Sequence, residues 1–459
     1  VKTHIKLLSA TIVALLIGSA HAAVTQEEAD QLKTTLTPLG AERAGNKDGS
    51  IPEWKGCPDL KAPLDKLKAG DRRWDPYANE KPLYSVTAAN MAQYEDKLSE
   101  GVKALLAKYP QTMRLDVYPT HRNHCAPDYV YENTYKNATR AKYVTNGKED
   151  GVEGAVAGIP FPIPKNGIEV RWNLNMRWRG VAFESKDRHY SFTSSGQPVL
   201  GSQAHQFEQY DAYQEGLTPE EHAKQGYPNF KFMQFVDQPT FRAGEGLMVL
   251  DSTNCTVQDR QAWQYLVGQR RVRRAPTVGW DTPDFVVSGS NFFDEVFGSV
   301  LSCNERYEYK LLGKKEMLIP YNNNKLFSLT EKEMFGQNHH NPDVLRWELH
   351  RVWVVEATLK DGKRHAVQKR KFYVDEDTWS TAMFDGWDHS GKIWRVSISP
   401  AYYFPDVPGM LIHNDFLYVL DGAWSTRGVM YEPGFQMRQI PMKSKTEFGP
   451  DTLSARNIR

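Results

Sequence analysis

The chain has 459 residues, 25% of them charged, with a formal net charge of +1. That balance argues against a nucleic-acid or anionic-membrane partner, both of which reward a concentrated basic excess. The length accommodates one large domain or two ordinary ones, and an aromatic content of 12% supplies ample core material.

Lys2 and Lys6 lead into an apolar run from Leu7 to Gly18, and Ala20-His21-Ala22 has the A-x-A form of a cleavage site. These parts make the plan of a secretory signal peptide over residues 1–22. The apolar run is shorter than the roughly 20 residues a spanning helix needs. No cysteine stands beside the cleavage site. The mature chain is therefore expected to begin at Ala23 as a soluble, unlipidated protein of the periplasm.

Residues 23–165 are expected to form a helical and irregular region that packs on a sheet. Thr25 followed by Glu28 reads as a capping box. Asn46-Lys47-Asp48-Gly49 has the look of a calcium loop, but Ala44 and Lys55 fall where the outer oxygen ligands belong, so a plain turn is expected. Met91, Tyr94, Leu98, Val102, Leu105, Leu106 and Tyr109 recur at helical spacing, predicting one helix from Ala88 to Tyr109 that Pro110 stops. Pro52, Pro58, Pro63, Pro76 and Pro82 mark a linker-like stretch, and the Gly- and Pro-rich residues 151–167 a second seam. In residues 168–179 the alternation of Ile168, Val170, Trp172, Leu174, Met176 and Trp178 favours a strand. Ile168, Trp172 and Met176 also fit a helix, so the segment stays open.

From about Phe230 to Tyr431 the pattern is one of strands, roughly ten of them joined by short turns. Trp347, Leu349, Trp353, Val355, Ala357 and Leu359 alternate with Arg346, Glu348, His350, Glu356 and Thr358, interrupted on the apolar side by Arg351. Asp361-Gly362 is expected to turn a hairpin into His365–Val374, and Asp388-His389-Ser390-Gly391 a second one into Lys392–Ser399. Tyr307, Tyr309, Leu311, Met317, Ile319 and Tyr321 mark a further ribbon. The fold class is mainly β (α+β): a large curved antiparallel sheet with covering helices. A hollow face lined by aromatic residues could hold an apolar guest.

The cysteines are Cys57, Cys125, Cys255 and Cys303, with no C-x-x-C among them. In an oxidising compartment this small even count reads as two disulfides. The pairs Cys57–Cys125 and Cys255–Cys303 are expected, because each lies within one compositional section.

Four segments carry a family resemblance: Gly40 to Trp54 (GAERAGNKDGSIPEW), Tyr265 to Pro276 (YLVGQRRVRRAP), Tyr309 to Met317 (YKLLGKKEM) and Arg346 to Ala357 (RWELHRVWVVEA). They resemble a secreted Gram-negative family known as domain of unknown function 1329, similar to the lipoprotein-sorting carriers LolA and LolB. The resemblance implies an open half-barrel over residues 166–459, around a hydrophobic cavity lidded by helices. It also favours a helix for residues 168–179. It implies partners as well, an RND-type exporter and an outer-membrane protein, and it brings no catalytic residues.

Strand parity nominates Tyr309, Met317, Trp347, Leu349, Trp353, Val355 and Trp394 as the lining of an apolar cavity. Arg270, Arg271, Arg273 and Arg274 are the densest charge cluster and could hold an anionic headgroup or an acidic partner. His121 with His124, and His339-His340 near Asp343, lack a nameable third metal ligand, so no metal or cofactor is expected. Asp385, Asp388 and His389 are expected in a solvated turn. No nucleophile elbow, Walker A or dinucleotide motif occurs, so a non-enzymatic carrier of a hydrophobic or amphiphilic molecule is the leading expectation. A hydrolase or lyase would instead need a polar pocket of convergent histidine and carboxylates. An adaptor without ligand would need a filled core and a large exposed patch.

Overall fold

The computed structural model describes residues 24–455, except 64, 68–70, 72, 276–281, 284–302, 304–305, 405, 408, 413 and 431–435. The expected signal peptide lies outside the described residues. Strands dominate the rest. The first ten are β1 Tyr84–Val86, β2 Leu115–Val117, β3 Lys142–Thr145, β4 Asp150–Glu153, β5 Ala182–Phe192, β6 Pro198–Tyr210, β7 Pro228–Gln238, β8 Gly246–Ser252, β9 Gln261–Leu266 and β10 Arg271–Arg274. They are followed by β11 Tyr307–Pro320, β12 Trp347–Leu359, β13 Lys369–Asp375, β14 Thr381–Trp387, β15 Ile393–Ile398, β16 Ala401–Phe404, β17 Gly409–Ile412, β18 Asp415–Val419, β19 Trp424–Met430 and β20 Met437–Gln439. The helices are short: α1 Gln26–Asp30, α2 Glu100–Lys108, α3 Asp128–Arg140, α4 Gly167–Asn175, α5 Pro219–Lys224, α6 Glu331–Met334 and α7 Pro450–Ala455.

One 16-stranded sheet runs β1-β2-β12-β13-β14-β15-β18-β19-β5-β6-β7-β8-β9-β10, with β11 added beside β12 and β20 beside β5. Its ladders are antiparallel except where β2 meets β12 in parallel at Val117 and Trp347. Among the described residues β1 and β10 do not pair, so the large mixed sheet is not closed into a barrel. The sheet starts earlier than the expected Phe230, because β5 and β6 already belong to it. Their charged residues disguise them: Glu184 of β5 pairs with His205 of β6 at 2.6 Å and with Arg438 of β20 at 2.7 Å.

Several local expectations hold. Thr25 and Glu28 form the reciprocal capping box at the start of α1. Asp48 accepts the Ser50 N–H at 3.0 Å and Asn46 that of Ile51 at 2.9 Å, the bonds of a plain turn. Asp388 likewise holds the β14–β15 turn through the Ser390 and Lys392 N–H groups. The disulfides are Cys57–Cys125 and Cys255–Cys303, with Cα atoms 5.7 and 6.0 Å apart.

Others are corrected. The single helix over 88–109 divides: a 3-10 segment covers Met91–Lys97, Leu98 is extended, and α2 starts afresh. Ser99 causes the restart, its hydroxyl accepting the Val102 N–H at 3.1 Å as an N-cap. Residues 168–175 lie within helix α4, against the period-two count. Alternation misleads there because α4 is buried nearly all round, so polar positions mark internal partners, not solvent. Arg171 faces Asp150 at 3.6 Å, and the Asn173 amide bonds the backbone of Phe161. The strand after Asp361-Gly362 begins only at Lys369, so residues 360–368 form a loop in place of a tight hairpin.

Helices cover the sheet unevenly. α2 lies so close on β14 and β15 that a Cβ at Gly101 would collide with Asp385 and Val396. α4 rests on β11, where a Cβ at Gly167 would come within 2.8 Å of the Tyr309 backbone. At the other wing, α7 buries Leu453 with Phe448, Met233 and Met248 against one face of β7 and β8. No helix among the described residues is long and apolar enough to cross a membrane.

Candidate functional site

The seven nominated cavity residues do not converge. In β11 and β12, Tyr309 stands opposite Ala357 and Leu311 opposite Val355; after an irregularity between Leu311 and Gly313, Lys314 stands opposite Trp353 and Met317 opposite His350. A bulge moves the pleat by one residue. Gly313, at φ +103°, supplies the backbone conformation that it needs. Tyr309 therefore shares a face with Trp347, Leu349, Trp353 and Val355, and Met317 points to the other.

Most of this wing is filled, apart from a cleft of about 220 Å³ that Met317 lines with Leu98, Leu312, Val354 and Tyr373. Trp347, Leu349, Val355 and Met317 are buried in the main core. Trp353 stacks on Trp379 with ring centres 6.2 Å apart, and the Lys314 ammonium sits 4.6 Å from its ring. Trp394 lies apart on β15, its indole N–H donating to Asp421 at 2.9 Å. The polar side of β12 is buried at its start too: Glu348 is 0% and His350 1% exposed.

The arginine cluster divides by face. Arg271 pairs in register with Leu266 and Arg273 with Gln264, while Arg274 stands opposite Trp263 on the reverse side. Arg270 occupies the left-handed turn between β9 and β10. On the face of Arg271 and Arg273, one cross-strand row runs Gln234, Leu247, Gln264, Arg273. This row lines a cleft of about 350 Å³ together with Val236, Leu266, Arg242 and Glu245. Arg242 is held to Glu245 by two bonds of 2.9 and 2.7 Å. Gln234, only 1% exposed, has no hydrogen-bond partner among the described residues for either its carbonyl oxygen or its amide nitrogen. Asp281, Asp284 and Glu295, the acidic residues that follow the cluster in sequence, lie outside the described residues.

A second convergence went unseen in the sequence. Arg122 holds Asp377 by two bonds of 2.8 and 2.7 Å. Lys314 reaches Glu376 at 2.8 Å, and Arg351 reaches it at 3.3 Å. Arg351 thus interrupts the apolar alternation of β12 in order to join this network. Glu348 accepts from Arg346, from the Asn322 amide at 3.0 Å and from the His121 N–H at 2.9 Å. Burial pushes the Glu348 carboxyl up, but the His350 hydrogen bond and the Arg346 charge outweigh it and leave it below its ordinary range. The legible signal was the run Asp375-Glu376-Asp377 at the end of a strand.

The histidine pairs weighed as metal corners have separate partners. His121 bonds Glu80 at 2.8 Å, and His124 accepts the Met410 N–H at 3.0 Å. Burial lowers His124 to about 4, so it is neutral. His340 pairs with the Tyr418 hydroxyl, while Asp343 pairs with Arg114. Asp385 is not in a turn: it sits mid-strand on β14, accepting from Tyr373 at 2.8 Å and Ser99 at 3.1 Å. Burial pushes it up to about 6. His389 donates elsewhere, to the His365 carbonyl at 2.8 Å, so no acid–base group forms with it.

Fold and site together define an open-sheet protein, mostly β with few helices, one wing largely filled and the other bearing the larger of the two clefts described. The chain belongs to the DUF1329 family, described as "Protein of unknown function (DUF1329)", whose model matches residues 85–454. It is 39% identical over 456 residues to Uncharacterized protein PA3922 of Pseudomonas aeruginosa, covering 97% of this chain and 96% of that one. Among solved structures it is similar to a DUF1329 family protein from Desulfovibrio piger, at 13% identity and TM-score 0.42, covering 62% of this chain and 96% of that one. It is also similar to the LolA superfamily protein NE2245 from Nitrosomonas europaea, at 10% identity and TM-score 0.36, covering 63% and 100%. Such distant structural likeness carries no statement about ligand or partner.

Proposed function

We propose that the protein is a non-enzymatic carrier of an amphiphilic molecule with an anionic headgroup, bound in the cleft between β7 and β10. The observation that carries this reading is Gln234, a buried amide without a partner in a cleft that Arg273 rims. An unsatisfied buried amide costs about 1–3 kcal/mol, which a ligand's polar group would recover. Val236, Leu247 and Leu266 give the same cleft an apolar floor. Each Å² of acyl surface buried there contributes about 25 cal/mol. The cleft volume, about 350 Å³, suits one small guest or the end of a longer one. Phe241, 83% exposed in the β7–β8 turn beside Arg242, adds apolar surface at the rim.

The periplasm as place of work, transport towards the outer membrane and an RND-type exporter as partner belong to the same proposal. They rest on the signal-like start and the family resemblance. The hydrolase or lyase alternative expects convergent histidine and carboxylates; such a group exists around His350, but its members are buried away from any substrate.

The test is titration of the mature chain with a fluorescent fatty acid and, in parallel, a fluorescent alkylammonium of equal length. Saturable one-to-one binding of the fatty acid, weakened by Leu247→Glu, is expected. Absence of saturable binding, or binding indifferent to that substitution, overturns the reading.

A further inference from the structure

The buried group at the end of β13 has the composition of a metal site. His350, Asp375 and Asp377 each bring a potential ligand atom, and these atoms lie within 4.8 Å of one another. All three residues are at most 5% exposed. Bonds to a tetrahedral ion of about 2.0–2.2 Å would draw them to roughly 3.4 Å apart, within the reach of side-chain adjustment.

Three observations point to an occupant. Asp375 is 1% exposed, and its Oδ1 has no hydrogen-bond partner among the described residues, while Oδ2 accepts the Thr378 N–H at 3.0 Å and the Tyr321 hydroxyl at 3.4 Å. His350 uses Nε2 toward the Glu348 carboxylate at 3.1 Å. A proton placed on Nε2 toward that carboxylate leaves the Nδ1 lone pair for a ligand bond. A carboxylate behind the imidazole is the outer support that metal-bound histidines use to fix tautomer and orientation. The third observation is charge. Arg122, Lys314, Arg346 and Arg351 are tied to Glu42, Glu80, Glu348, Glu376 and Asp377 by ion pairs. Among the described residues none of these cations forms an ion pair with Asp375, which lies beside the Asp377 carboxylate. A divalent cation between the two would relieve that buried like-charge contact.

We propose that His350, Asp375 and Asp377 bind a divalent transition-metal ion of the zinc type, with Glu348 orienting the imidazole and Arg122 holding Asp377. Imidazole with carboxylates suits such an ion better than calcium, which prefers an all-oxygen shell. Its role is structural: it locks the Asp375–Thr378 turn onto β12. The inference does not depend on the carrier reading, since this group and the cleft share no residue.

The experiment strips the mature chain with a chelator and titrates it with Zn²⁺, then separately with Co²⁺. One Zn²⁺ per chain and a raised thermal midpoint are expected, with visible absorption bands on Co²⁺ loading. His350→Gln and Asp375→Asn should each weaken Zn²⁺ binding by about 100-fold or more, and Glu348→Gln by about 10- to 100-fold. The double variant Glu149→Gln/Asp259→Asn should bind as the wild type does. Those two carboxylates lie beside Cys255, whose sulfur is committed to a disulfide. Should the ligand variants misfold, X-ray absorption of the zinc-loaded wild type replaces them: one imidazole among oxygen ligands is expected. No stoichiometric uptake, a shell with sulfur or several imidazoles, or undiminished binding by His350→Gln and Asp375→Asn overturns the proposal.

Discussion

The two wings of the sheet solve the same burial problem differently. In the β11–β15 wing, α2, α4 and the Trp379 region cover most of the sheet, though Glu308, Lys310, Leu312 and Lys315 of β11 stay exposed and a smaller cleft of about 220 Å³ remains beside Met317. Polar side chains at the start of β12 are buried and paired, so strand alternation there no longer separates core from solvent. In the β6–β10 wing, α7 covers one face, while the other keeps a cleft with a buried amide left without a partner. A filled wing earns stability and a partly filled one keeps room for a guest. Aromatic richness alone does not say which wing is which.

Substitutions should separate the wings, and the filled one should respond first in stability. Trp347 is fully buried, so Trp347→Ala should cost about 3–5 kcal/mol in urea unfolding. A much smaller loss would mean that this wing is also loosely filled.

The next effect is a pH dependence at Asp385. Burial holds its carboxyl at about 6 against an ordinary 3.8. Between those values the folded state keeps a proton that the unfolded chain has lost. The contribution is therefore fully present below pH 4 and is lost as pH rises towards 6. The expected change is about 3 kcal/mol. Asp385→Asn should flatten that part of the stability profile, as read from urea midpoints at pH 4, 5, 6 and 7. Parallel profiles for the two proteins would contradict the shift.

At the open wing the response should appear in binding and not in stability. Arg271 and Arg273 share the cleft's face, so reversing both to Glu should weaken the fluorescent fatty acid about 10-fold or more. That is about 1.4 kcal/mol or more. Unfolding free energy should move by less than about 0.5 kcal/mol, as for exposed residues generally. The same change at Arg274, on the reverse face, should leave fatty-acid binding unaltered, and equal losses at both sites would erase the distinction between faces.

The smallest expected effect tests the helix restart. Ser99→Ala removes the α2 N-cap and a bond to Asp385, and should cost about 1 kcal/mol by the same urea assay.

Much of the architecture was legible locally, and the misreadings share a cause. The capping box at Thr25, the turn at Asn46 and the β14–β15 hairpin depend on neighbours a few residues away, and each stands where expected. The cysteine pairs followed from their grouping along the chain. The candidate cavity failed to assemble because one bulge beside Gly313 turned Met317 to the opposite face, and no count of alternation registers an extra residue in a strand. Helix α4 imitated a strand because its polar residues find partners inside the protein. Glu348 and His350 stand on the polar side of the alternation yet are buried, because their partners, His121, Asn322 and Arg346, arrive partly from distant segments.

The sequence by itself determined that the chain folds as a large strand-rich sheet with two disulfides, since period-two patterning, turn chemistry and cysteine grouping are local properties. It also carried the arginine cluster, though not its division between faces. Only the tertiary structure decided which aromatic residues fill a core, where clefts remain, and where buried charges meet. Those outcomes depend on cross-strand register and on desolvation by segments far apart in the chain, and neither is written in any single stretch of residues.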